Sequence, residues 1–397
     1  MHRCLEMPEI LQLIINFVYR IPSLSELDID PTTITDFPSG NEDLMCLAVT
    51  CRRFSEPCLD ALWYYLPGLG PLFSLLGLPA DFVNEHNMDN DRDHYYSSAR
   101  EYVEQADYTR FIAYARRVVG LVVDDEYIMR DDILLNIISI SGRSPTLLTP
   151  HLRLLMWLKT PASLSYMSMF CGPALRHLSG AFAMDYDQHY DQLNQISYHA
   201  MLTHMRTLSL SLERLILTAP VYNCEPDPVP LMLCFPSIKE FSHNFYIEPA
   251  GVAHIAQMRN LRRLQTQDTF MFPLPPDNIG QPPLPALQDI YLDGVPLASL
   301  IELLRSFQTR RELQSVEFSI MHVTPDATVI NEFFRVLHAY CIPGKLTKLI
   351  LNFCGSDCPS DSESVRDVDC SLDDDAFLLL CDFTHLTSLR ISCPSDF

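Results

Sequence analysis

Apolar residues near the start of the chain recur at helical spacing. Ile10, Leu11, Ile14, Ile15 and Val18 form one stripe behind Pro8, a residue tolerated in a first helical turn. Pro22 closes this helix, and the polar residues 21–41, with Pro31, Pro38 and Gly40, read as a loop. Asn41 is placed to cap a second helix with Glu42 and Asp43 in its first turn and a stripe of Leu44, Leu47 and Ala48. Pro57 is expected to open a third, carrying Leu59, Leu62, Trp63 and Leu66.

Farther along, the pattern becomes a recurring Leu-x-x-Leu-x-Leu phrase. It is clearest at Leu212–Leu217, Leu287–Leu292 and Leu346–Leu351. Looser copies start at Leu152, Leu175, Met205, Ile238, Leu261, Leu313 and Leu386, with an earlier one at Val118. From Leu212 onward the starts lie 23 to 40 residues apart, and the first four intervals match a leucine-rich-repeat period. Helical stripes fall between the phrases: Leu297, Leu300, Ile301, Leu304 and Phe307, then Ile330, Phe333, Leu337 and Tyr340, then Phe377 with Leu380 and Cys381. One strand and one helix cannot bury their own apolar faces, so such units stack on their neighbours. The position that takes Asn or Cys in regular repeats holds Cys354 once and otherwise Pro220, Tyr246, Thr269, Val295, Met321 and Pro394. The expectation is therefore an irregular α/β leucine-rich-repeat solenoid, a horseshoe with uneven twist. Independent α/β units without a common solenoid are the alternative.

The N-terminal run Leu5-Glu6-Met7-Pro8-Glu9-Ile10 and the later Leu47-Ala48-Val49-Thr50-Cys51-Arg52-Arg53-Phe54, with Trp63 beyond, resemble an F-box. That module plugs a protein into a cullin-based ubiquitin ligase through a Skp-type adaptor. The resemblance covers about residues 1–66 and is nearest to the large fungal (basidiomycete) F-box family. It departs from the pattern in Met7-Pro8, where Leu-Pro is usual, and in the long loop between the first two helices. It implies adaptor contacts at Leu5, Pro8, Ile10, Ile14, Leu47, Val49, Cys51, Phe54 and Trp63. It also implies that the rest of the chain selects a protein target for ubiquitination. Without the resemblance, three stripes that merely face each other would describe a generic bundle. So short a bundle buries little, however, and some of its apolar surface should meet a partner.

The expected organisation is then an F-box at 1–66, a turn-rich linker at 67–99 and a repeat domain at 100–397 with an acidic insertion at 356–375. Side chains alternate along a strand, so the residues between the leucines face outward. The central column reads Ile216, Ser242, Gln265, Tyr291, Glu317, Ile350 and Arg390, flanked by Arg214, Glu240, Arg263, Asp289, Asp293, Lys348 and Asn352. A mixed surface with an aromatic and several charges suits protein recognition. Target contacts are expected at Arg214, Glu240, Arg263, Gln265, Asp289, Tyr291, Asp293, Glu317, Lys348 and Arg390. For any one of these, a merely solvated polar residue is the simpler reading.

Composition narrows the classes. The 28 Lys+Arg against 50 Asp+Glu leave a net charge of −22, which repels nucleic acid. Residues 61–80 lack charge and are long enough for a membrane span, but Pro67, Gly68, Gly70, Pro71, Gly77 and Pro79 favour a turn-rich segment. No signal peptide is recognisable, and 13 scattered cysteines without Cys-x-x-Cys fit reduced thiols in a cytoplasmic or nuclear protein. Asp89-Asn90-Asp91-Arg92-Asp93 begins like a calcium loop, yet His94 and Arg100 stand where Gly and Glu are needed. Cys354 and Cys358 form at most half a zinc site. No metalloprotease, dinucleotide, phosphate-loop or nucleophile-elbow motif occurs, and no cofactor, metal or catalytic residue is expected. Two other roles remain open: a scaffold that binds the adaptor without a cullin, and a repeat protein that regulates a GTPase through an exposed arginine.

Overall fold

The computed structural model describes residues 7–19, 41–77, 108–123, 148–158, 167, 170–181, 205, 207, 211–218, 235–244, 249–267, 283–319, 326–353 and 373–392. Leu5, most of the expected linker, the calcium-like run, the Cys354–Cys358 pair and the acidic insertion up to residue 372 lie outside them. The chain is α/β and divides into two compact units, Met1–Ser211 and Leu212–Phe397.

The first unit begins with helices α1 (Pro8–Val18), α2 (Asn41–Thr50) and α3 (Arg52–Leu62), which pack on one another. Their core is Leu11, Ile15, Tyr19, Leu44, Phe54, Cys58 and Ala61. The third helix starts earlier than Pro57 suggested. Cys51 is its extended N-cap, and Pro57 sits inside the helix. As the sixth residue, Pro57 forfeits only the bond its nitrogen would make to the Arg53 carbonyl. Burial of the Phe54, Cys58 and Ala61 stripe on both sides of it offsets that loss.

Only Trp63 and Tyr64 separate α3 from β1 (Tyr65–Leu66), which is followed by a short α4 (Gly70–Ser74). The charge-free stretch after Ala61 thus contributes a strand and a helical turn. Among the described residues, no helix is long and apolar enough to cross a membrane. Then come α5 (Tyr108–Ala115), β2 (Gly120–Val123), β3 (Leu154–Trp157) and β4 (His177–Ala181). β1 pairs in parallel with β2, β2 with β3, and β3 with β4. Every residue of β2 and β3 is buried, so these strands are covered on both faces.

The second unit holds β5 (Arg214–Thr218), β6 (Glu240–His243), α6 (Pro249–Ala256), β7 (Arg263–Gln267), β8 (Asp289–Asp293), α7 (Leu297–Ser306), β9 (Ser315–Ser319), α8 (Ala327–Tyr340), β10 (Lys348–Asn352), α9 (Asp374–Cys381) and β11 (Ser388–Ser392). Its strands also pair in parallel, each with its successor. In both units a strand begins two residues after the first apolar residue of a phrase: Val118 precedes Gly120, Leu212 precedes Arg214 and Leu346 precedes Lys348. The second residue of the phrase performs a repeated task. The carbonyls of Glu213, Lys239, Arg262, Gln288, Gln314 and Thr347 each accept two backbone N–H groups from the next phrase. This main-chain ladder needs no particular side chain, so the pairing does not depend on which residues flank the phrase.

Helices α7 and α8 bury the stripes read from sequence, save that Tyr340 is half-exposed. Helix α9 differs: Ala376 and Leu380 are buried, whereas Phe377 is exposed. Two residues four apart form the inward edge, and the small Ala376 was too weak a hydrophobic signal to mark it. The inward strand row Leu215, Phe241, Leu264, Ile290, Val316 and Leu349 is buried, but its last member Leu389 is 48% exposed. Truncation should therefore cost very different amounts along one row. We expect Leu349→Ala to lose about 2.5 kcal/mol and Leu389→Ala about 0.5 kcal/mol, read from urea denaturation of the two variants. Equal losses would show that Leu389 is covered in solution.

Candidate interaction surfaces

Two surfaces stand out, one in each unit. On the helical bundle, α1 and α2 each carry an apolar pair four residues apart that does not enter the core. These are Leu13 with Phe17 and Met45 with Val49, and Phe17 and Val49 are 92% and 85% exposed. Spacing of four puts each pair on one side of its helix. Isolated exposed apolar residues are ordinary, but two such pairs leave apolar surface outside the bundle core.

The residues expected to touch an adaptor occupy several environments. Pro8 and Val49 are exposed, and Ile10 is half-exposed. Ile14, Leu47 and Cys51 are partly buried and pack against the bundle core, while Phe54 lies within it. Trp63 is half-buried and meets the Tyr114 ring of α5, with centroids 4.7 Å apart. Leu13, Phe17 and Met45 were missed in the sequence. The available signal was the excess of apolar residues on α1, where Leu13 and Phe17 lie off the stripe that fills the core.

The second surface is the outward side of strands β5 to β10. Among the described strands, β5, β6, β8, β9 and β10 alternate buried and half-buried positions, with the half-buried set outward. Strand register aligns Arg214, Glu240, Arg263, Asp289, Ser315 and Lys348 in one column, and Ile216, Ser242, Gln265, Tyr291, Glu317, Ile350 and Arg390 in the next. Asp293, Ser319 and Asn352 share a third.

The charges of the first column alternate and pair sideways across the strands. Arg214 lies 3.5 Å from Glu240, Glu240 3.6 Å from Arg263, and Arg263 3.7 Å from Asp289. Farther on, Lys348 reaches Glu317 at 2.6 Å. Burial pushes the Arg214 pKa down, partly offset by Glu240. Burial raises the Asp289 pKa, Arg263 opposes that rise, and the Glu240 and Glu317 carboxylates add to it. Tyr291 is also raised, first by burial and then by the neighbouring Asp293 and Glu317. Opposite charges on adjacent strands hold the column in register, and they also mean that most of its charge is already balanced.

Among the described residues, no three His, Cys, Asp or Glu side chains gather as a metal site. The buried thiols of Cys171 and Cys341 are each pushed up to about 12 by desolvation, far from the reactive range. No protein-family model matches this sequence, and no curated protein matches it significantly.

Proposed function

We propose that the chain is the substrate-recognition subunit of a Skp–cullin–F-box ubiquitin ligase, a cytoplasmic or nuclear protein. The three-helix bundle is read as the F-box that docks the Skp-type adaptor, and the parallel strands as an irregular leucine-rich-repeat array whose outward side holds a protein target. The observation that carries this reading is the exposed apolar pairs of α1 and α2 on a bundle that does not need them for its own core. They lie in the segment whose sequence resembles an F-box. Catalysis is then proximity supplied to another enzyme.

The outward columns support the second half of the role. Their mixed, partly buried charges and Tyr291 suit a protein surface better than a small molecule. A GTPase regulator would need an accessible guanidinium; Arg214 and Arg263 are engaged with Glu240 and Asp289, which leaves the exposed Arg390 as the residue whose substitution tests that reading. A scaffold without a cullin stays distinct only in its partners, and copurification of a cullin with the adaptor separates the two.

The decisive experiment is calorimetric titration of the full chain with a Skp-type adaptor. The wild type should bind below micromolar, and Phe17→Asp should weaken binding by about 30-fold, the size of one interface hot spot. Phe17 is fully outside the core, so this variant should melt with the wild type. An adaptor that binds neither protein, or both equally, would refute the docking face.

A further inference from the structure

We infer that Arg117 locks the three-helix bundle onto the first-unit strands, so that bundle and strands move as one body. The covalent link alone would be a hinge. Two residues, Trp63 and Tyr64, join α3 to β1, and the next attachment is the Tyr64 carbonyl accepting the N–H groups of Val119 and Gly120 at 2.9 Å. A helix held only at its end can swing about that end.

Arg117 supplies attachment points farther back. It follows α5 and lies just before β2, and its guanidinium reaches across to α3. One amino group donates to the Asp60 carboxylate and to the Glu56 carbonyl, the latter at 3.4 Å, and the other meets the Glu56 carboxylate at 2.5 Å. Glu56 and Asp60 are four residues apart, one turn along the same side of α3. The two contacts therefore grip the helix along its length, whereas the chain link holds only its end. Aromatic stacking supports the grip: the Arg117 guanidinium lies 5.8 Å from the Tyr114 ring centroid, and Tyr114 in turn meets Trp63. Burial would lower the Arg117 pKa, and the bonds and charges of Glu56 and Asp60 outweigh it and raise it.

An exposed ion pair ordinarily contributes little. This guanidinium differs because its side chain is only 19% exposed and it holds two carboxylates, a carbonyl and a ring face at once. The planar fork suits that task, and a lysine ammonium does not. A partner docked on α1 and α2 would then be held at a set distance and angle from β1 to β4. That consequence rests on the proposed function; the lock does not.

The test is pulsed electron paramagnetic resonance on the full chain, with genetically encoded spin-label amino acids at the exposed positions Glu42 and His151. The wild type should give one narrow distance distribution, and Arg117→Met should widen it about twofold, as expected when a second attachment is removed from a hinge. Arg117→Lys should fall between them. Glu56→Ala with Asp60→Ala alters only exposed side chains and removes both carboxylate acceptors, so it tests the same lock should Arg117→Met fail to fold. A wild-type distribution as broad as that of these variants, or variants as narrow as the wild type, would overturn the inference. Adaptor affinity should be the same in wild type and Arg117→Met. An adaptor that binds none of them counts against the proposed function, and the widths still decide the lock.

Discussion

Arg311→Ala should lower the local stability of β8 and β9 by about 3 kcal/mol, the cost of stripping a charged donor from several buried acceptors. Arg311 is 8% exposed and sits where three phrases meet. Its side chain donates to the carbonyls of Pro283 at 2.9 Å, Pro285 at 3.4 Å and Phe307 at 3.5 Å. Its backbone N–H donates to Tyr340 at 2.7 Å, and its carbonyl accepts from Ile342. The turn before β8, the end of α7 and the end of α8 thus converge on one residue. Burial lowers the Arg311 pKa, yet a guanidinium titrates so high that it stays charged. Its compensation comes from carbonyl oxygens, including that of Phe307 at the negative end of α7, and from the Phe307 ring 5.5 Å away.

Arg311→Lys should recover only about a third of the loss, because one ammonium cannot span three carbonyls. The readout is native-state hydrogen exchange of β8 and β9 amides, which reports this unit without assuming that the two-unit chain unfolds in one step. Exchange rates unchanged in Arg311→Ala would show that the three carbonyls find other donors at no cost.

Nothing in the sequence marked Arg311. Arg310 and Arg311 are adjacent and identical in type, and only the third dimension distinguishes the buried member from its exposed neighbour. By contrast, the strand phrases were plain. A period-two alternation in a strand has one physical solution, so placing Leu349 and Leu351 inward put Lys348 and Ile350 outward, and parallel register extended those rows across the second unit. The stripes of α7 and α8 were equally clear, because four or five large residues on one side outweigh any local accident.

Helix α1 was harder to read. On α1 seven of the ten positions after Pro8 are apolar, and periodicity cannot separate a core stripe from an additional exposed pair on such a helix. Leu13 and Phe17 were hidden for that reason, and the place of Phe54 in the bundle core was not legible either. Trp63 posed the opposite problem. A tryptophan just past a helix reads as an anchor for a partner, and its neighbour proved to be Tyr114, which is remote in sequence. In each case the missing information was which helix side faced which neighbour, and that depends on pairs of elements.

Gly120→Val should destabilise the first unit by about 3 kcal/mol, the upper range for forcing new carbon atoms into a filled core. A Cβ built on Gly120 would lie 2.4 Å from Tyr65 Cδ2 and 3.0 Å from Cε2, inside the contact distance of two carbons. The requirement for glycine here is space. Tyr65 pairs with Gly120 in parallel register, and its ring is part of a cluster with Val122, Leu154 and Met156. The ring is 6% exposed and burial pushes its phenol pKa upward, so little room exists for it to swing away. The alternative is for β2 to move, which breaks the Val119 and Gly120 bonds to Tyr64 at the point where helical bundle and strands join. Trimming the ring tests which of the two is at fault. In a double-mutant cycle, Gly120→Val should cost at least about 1 kcal/mol less in a Tyr65→Ala background than in the wild type, since contacting residues couple by that much. Native-state hydrogen exchange of the β2 and β3 amides in the four proteins supplies the cycle. Strict additivity would show that the strand cannot tolerate valine for a reason unrelated to Tyr65, and the close approach of ring and backbone would lose its place as the cause.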